Sequence, residues 1–157
     1  KDGELDMAFM LGPSLLEGFT SLKLKDYALR FFALPGLVAD NVLSFDSKTS
    51  IPIITYPRNT YPYSYLREIV IRKTGRAPRI FANSSISTIE KMAIDGLGVA
   101  LIAEGTLSSA SLSRLQVVDS NIELTALSFY AYFQSGVRGD IFEQLAGIAS
   151  EIASVDP

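Results

Sequence analysis

The 157 residues include neither histidine nor cysteine, so the side chains left for chemistry are carboxylates, amines, guanidinia, phenols and hydroxyls. That removes Ser-His-Asp and Cys-His catalysis, thiolate nucleophiles, disulfides and the usual zinc ligand sets. Glu4 and Asp6 are close in sequence, but Glu4 begins a strand and neither has an evident apolar pocket to raise its pKa for general-acid work. No catalytic residue, no metal site and no cofactor is expected, and the protein is not expected to be an enzyme.

Binding is the chemistry these residue types suit better, and three loops hold the candidates. In Tyr56-Pro57-Arg58-Asn59-Thr60-Tyr61 the Arg58 guanidinium is a bidentate partner for a carboxylate, although a solvated loop arginine has the same appearance. Asn59 and Thr60 add polar groups, and Thr60 is equally placed to cap a helix. Tyr56, Tyr61, Tyr63 and Tyr65 would line an aromatic pocket or simply pack on a sheet.

In the second loop, Asn83, Ser84 and Ser85 offer amide and hydroxyl groups at a strand-to-helix junction, where turn formation explains them nearly as well. The third is Met10-Leu11-Gly12-Pro13, in which Gly12 permits close approach of the backbone to a ligand. Gly96-x-Gly98 lacks the third glycine of a dinucleotide fingerprint and lies after a helix instead of before one, so it is a tight turn.

The elements that must carry these loops follow from the apolar pattern. Short apolar runs ended by turn residues predict buried strands at Leu5 to Leu11, Tyr27 to Leu34, Ile51 to Tyr56, Arg79 to Asn83, Val99 to Ile102, Leu115 to Val118 and Ala126 to Phe133. Helical spacing of Tyr65, Leu66, Ile69 and Val70 predicts a helix over Ser64 to Thr74, stopped by Gly75. Ser87-x-x-Glu90 has the capping-box pattern and should open a second helix that ends before Gly96.

Asp140-x-x-Glu143 has the same pattern and should open a third, with Ile141, Leu145, Ile148 and Ile152 on one face against the core. Alternation of strands and helices predicts an α/β fold with a parallel sheet, the first strand included.

Hydrophobic residues make up 48% and charged residues 20%, a globular composition without an apolar run long enough to span a bilayer. Net charge of −3 is unsuited to a broad phosphate-binding surface, so this stretch is not expected to bind DNA by itself. Absence of cysteine fits a cytoplasmic protein, and no membrane association is expected.

Order and sequence together resemble the effector-binding (substrate-binding) domain of LysR-type transcriptional regulators, over nearly the whole chain. The opening Gly3-Glu4-Leu5-Asp6-Met7-Ala8-Phe9 resembles that family's strand, and Ile89 to Ile102, with Gly96-Leu97-Gly98 at its turn, resembles its helix, turn and following strand. Ala103-Glu104-Gly105 departs from the family, which usually places proline there.

The resemblance implies a type 2 periplasmic-binding-protein-like fold, with two lobes joined by two crossing strands and the first lobe incomplete. Residues 1–36 and 126–157 would form part of lobe one and residues 37–125 lobe two, with hinge strands at Tyr27 to Leu34 and Ala126 to Phe133.

It implies further a small-molecule effector, a carboxylate or an aromatic metabolite, held in the inter-lobe cleft by Met10, Leu11, Gly12, Tyr56, Arg58, Asn59, Thr60, Asn83, Ser84 and Ser85. The partners would be the effector, a second copy in a dimer or tetramer whose surface includes the helix from about Tyr63 to Lys73, and DNA through a separate winged helix-turn-helix. A solute-binding receptor of a transporter is the alternative on the same fold.

Overall fold

A computed structural model of the chain describes residues 6–11, 17–46, 50–134 and 139–154. It divides into two compact units: Lys1–Tyr27 with Ala126–Pro157, and Ala28–Thr125.

The first unit holds three strands in the order β1 (Met7–Leu11), β9 (Leu127–Gln134), β2 (Phe19–Tyr27), with α4 (Gly139–Ser154) packed on β2 and β9. Both pairings are antiparallel, with Phe9 opposite Ala131 and Leu22 also opposite Ala131. The parallel arrangement expected for the first strand is therefore wrong: β1 meets β9, a strand distant in sequence and running the other way. Sequence alternation reports which faces are buried, and not the direction of the neighbour. β2 was not anticipated from the sequence, because Phe19–Tyr27 interleaves lysines, Asp26 and hydroxyls with its few apolar residues.

Ala131, Phe133 and Ala146 form the small core of this unit, with Met7, Leu22, Leu24 and Phe142 against it. The stripe expected to face the core faces away instead: Ile141, Leu145, Ile148 and Ile152 are 57%, 47%, 53% and 68% exposed. Phe142 and Ala146 occupy the inner side. The helix carries apolar residues on two faces, and periodicity marks both without saying which one the sheet receives.

The second unit is a six-stranded sheet in the order β4 (Val42–Leu43), β8 (Gln116–Ser120), β3 (Leu29–Ala33), β7 (Val99–Ala103), β5 (Ile53–Thr55), β6 (Ile80–Ala82). β5, β6 and β7 are parallel, as expected, and β4 is parallel to β8. β3 runs antiparallel to both β7 and β8, a correction to an all-parallel sheet.

α1 (Tyr61–Thr74), α2 (Ile86–Ile94) and the single turn α3 (Ser109–Leu112) complete the unit. Every residue of β7 is buried, the signature of a central strand covered on both faces. Phe32, Ile54, Ala100 and Ile102 pack with Ile89 and Ala93 of α2 on one side.

Two glycines fix how α2 returns to the sheet. Gly96 adopts φ of 74°, the left-handed region that lacks a steric penalty only for glycine. A side chain at Gly98 would overlap the Pro52 carbonyl, which accepts the Val99 N–H at 2.9 Å. Gly75 ends α1 in the same left-handed conformation, as its sequence position predicts.

Candidate functional site

Because β7, β5 and β6 are parallel neighbours, their carboxyl ends at Ala103, Thr55 and Ala82 open on one edge of the sheet. That edge is where ligands bind in open α/β sheets. The loops starting at Tyr56, Asn83 and Glu104 leave from it, and the N-termini of α1 and α2 follow the first two.

Most of the polar groups here serve the fold. Tyr56 turns its hydroxyl to accept the Ala103 N–H at 3.0 Å, which ties the first loop to the third, and burial pushes its phenol above the ordinary pKa. Thr60 stands at the N-cap of α1, but its hydroxyl donates to the Pro57 carbonyl at 2.7 Å instead of capping the helix. The Asn83 side chain accepts the Ser85 N–H at 2.8 Å, an Asx turn.

Ser85, and not Ser87, is the N-cap of α2: its oxygen accepts the Thr88 N–H at 3.3 Å, while Ser87 bonds to Ser85 at 2.9 Å. The capping-box spacing misplaced the helix start because the Asx turn at Asn83 begins α2 two residues earlier.

Three of the nominated residues have no such task. Arg58, Asn59 and Ser84 are exposed, and none has a hydrogen bond or ion pair among the described residues. The second unit thus gathers Tyr56, Arg58, Asn59, Thr60, Asn83, Ser84 and Ser85 around two adjacent loops. Met10 and Leu11 belong to the first unit, as the last residues of β1, and Gly12 lies outside the described residues, as do Gly3, Glu4 and Leu5.

Among the tyrosines, Tyr65 donates to the Glu123 carbonyl at 3.0 Å and stacks on Tyr61 at 5.5 Å, so neither lines a pocket with Tyr56.

One buried charge escaped the sequence. The Glu90 carboxylate of α2 accepts the Ser108 N–H at 3.2 Å, the Ser108 hydroxyl at 2.8 Å and the Ser111 hydroxyl, fixing the loop after β7. Burial acts to raise the Glu90 pKa, but the bonds from Ser111 and Ser108 outweigh it and hold the carboxyl below its ordinary value. Only the acidic residue of the misassigned capping box hinted at it; the serines lie some twenty residues away.

Arg58 also lines an open groove of about 620 Å³ along the outer face of α1, with Tyr63, Ser64, Arg67, Glu68, Ile71 and Arg72. Glu68 and Arg72 form an ion pair one helical turn apart. Among the described residues no group of three or more acidic side chains is placed to hold a metal ion, and no helix is long and apolar enough to cross a membrane.

Comparison with known proteins gives a consistent answer. The family described as LysR substrate binding domain matches residues 1–145. No curated protein is detectably similar in sequence.

Among solved structures, the regulatory domain of CcmR from Synechocystis in complex with 2-PG is 12% identical, with a TM-score of 0.73 over 98% of this chain and 76% of that one. The reduced regulatory domain of OxyR2 from Vibrio vulnificus is 18% identical, with a TM-score of 0.75 over 96% of this chain and 73% of that one. The regulatory domain of MetR from N. meningitidis is 14% identical, with a TM-score of 0.71 over 94% and 72%.

Proposed function

Because the chain belongs to the LysR substrate binding domain family, with the type 2 periplasmic-binding-protein-like fold of LysR regulatory domains, we propose that it senses a small-molecule effector and thereby controls DNA binding by a separate winged helix-turn-helix. The effector is a carboxylate or an aromatic metabolite, the assembly is a dimer or tetramer in the cytoplasm, and nothing is turned over.

The observation that carries this is the sheet edge of the second unit. Two helix N-termini open there beside Arg58, Asn59 and Ser84, three exposed polar side chains that make no hydrogen bond or ion pair among the described residues. Unpaired N–H groups and the helix dipole favour an anionic or strongly polar ligand at such a place. An effector acts on DNA binding only through different affinities for two arrangements of the regulator, so its binding free energy sets the ceiling on the response.

Thermal melting against a panel of small carboxylates and aromatic metabolites tests binding. A true effector at a hundredfold excess over its Kd stabilises by about 2.7 kcal/mol, which raises Tm by several degrees. Ser84→Ala and Asn59→Ala should reduce that rise without lowering the Tm of the free protein. A gel shift with the intact regulator tests control. An effector that raises Tm but leaves operator binding and its footprint unchanged would point to the transport-receptor alternative.

A further inference from the structure

We propose that the groove on the outer face of α1 is a second binding site, for a small organic anion. Arg58 and Arg67 take its carboxylate or phosphate head, and its apolar body rests on Tyr63 and Ile71. Three guanidinia line this groove against one carboxylate, and Glu68 is already committed to Arg72. Arg58 and Arg67 are left without an ion pair or hydrogen bond among the described residues. They stand together in a chain of net charge −3, so the groove concentrates positive charge on an acidic protein. No acidic residue occupies the first turn of α1 to offset it.

The wall is built to stay in place. Tyr63, Arg67 and Ile71 follow one another at intervals of four along α1, and Ser64, Glu68 and Arg72 form the adjoining row. The helix is held from elsewhere, by buried Leu66 and Val70, by Tyr65 on the Glu123 carbonyl and by Lys73 on the Asn121 carbonyl at 2.6 Å. Tyr63 and Ile71 are half-buried beside the exposed Arg67, so the groove joins an apolar floor to a cationic rim on a helix anchored by its other face.

The groove has a volume of about 620 Å³ and is open to solvent, so it would hold a small anion against one wall. Arg58 is the only residue shared with the loops at the sheet edge. Arg67 therefore distinguishes the two sites.

Phenyl phosphate and inorganic phosphate are suitable probes, titrated into the chain at low salt and followed by NMR shifts or calorimetry. Phenyl phosphate should saturate at one equivalent, and Arg67→Gln should weaken it about tenfold or more through loss of a charge-assisted pair. Arg114→Gln, an exposed arginine outside the groove, should change it by less than about twofold, as a screened surface charge does. Tyr63→Leu should weaken phenyl phosphate more than inorganic phosphate.

Unchanged Tm in each variant establishes that the fold is intact. The proposal is overturned by absence of saturation, or by equal effects of Arg67→Gln and Arg114→Gln. Weakening by Ser84→Ala but not by Arg67→Gln would assign the probe to the sheet edge and also overturn it. So would an Arg67→Gln variant that alters sedimentation while leaving phenyl phosphate affinity unchanged, because α1 would then be an interface between copies.

Discussion

The second unit surrounds its sheet, whereas the first leaves much of its apolar surface open. β7 is buried at all five positions, and α2 closes over it with Ile89 and Ala93 fully inside. In the first unit, α4 leaves Ile141, Leu145, Ile148 and Ile152 exposed to solvent, and Phe9 of β1 is 56% exposed as well. Amphipathic spacing thus measures how much apolar area a helix offers. Whether that area is buried depends on how many elements surround it.

Mutation of one residue type in both units gives the sharpest test. Ile54→Ala, at a fully buried position of the second unit, should cost about 2–5 kcal/mol by loss of transfer energy and creation of a cavity, measured by urea unfolding. A cost below about 1 kcal/mol would mean that the core is looser than its burial indicates.

Glu90→Gln should cost about 1–3 kcal/mol near neutral pH, because three donors lose a charged acceptor in a buried place. Its folded pKa lies below the ordinary 4.5, so its contribution is full above that value and disappears as pH falls through the folded pKa. The variant should consequently lose part of the acid sensitivity of the parent below about pH 4.5. A parallel offset at every pH would show that the charge is not what matters there.

The smallest effect is expected on the exposed face of α4. Ile148→Gln should change stability by less than about 0.5 kcal/mol, while reducing binding of a hydrophobic dye. A loss comparable to that of Ile54→Ala would show that the stripe is buried in solution, and the contrast between the units would disappear.

Several elements were legible because local physics alone specifies them. Gly75 and Gly96 turn the chain at positive φ, Gly98 passes against the Pro52 carbonyl, and Val99–Ala103 is too continuously apolar to be anything but a central strand or a buried helix segment. The capping of α2 was legible only in part, since Ser85 and Ser87 both suit an N-cap and the Asn83 turn decides between them. At the sheet edge, sequence nominated polar residues by type and spacing. Their hydrogen bonds then separated Tyr56, Thr60, Asn83 and Ser85, which hold the loops, from Arg58, Asn59 and Ser84, which are exposed and make no such bond among the described residues.

Composition sets which side-chain chemistries are available, and local pattern sets most of the elements and their order. Lack of histidine and cysteine is a matter of composition, and turns, caps and strand runs are set within a few residues. Tertiary structure set the antiparallel pairing of β1 and β3, the outward stripe of α4 and the Glu90 cap on the loop after β7. Each of these depends on residues far apart in the chain or on which of two similar faces meets a neighbour. No local pattern encodes that choice, because both alternatives satisfy the same periodicity.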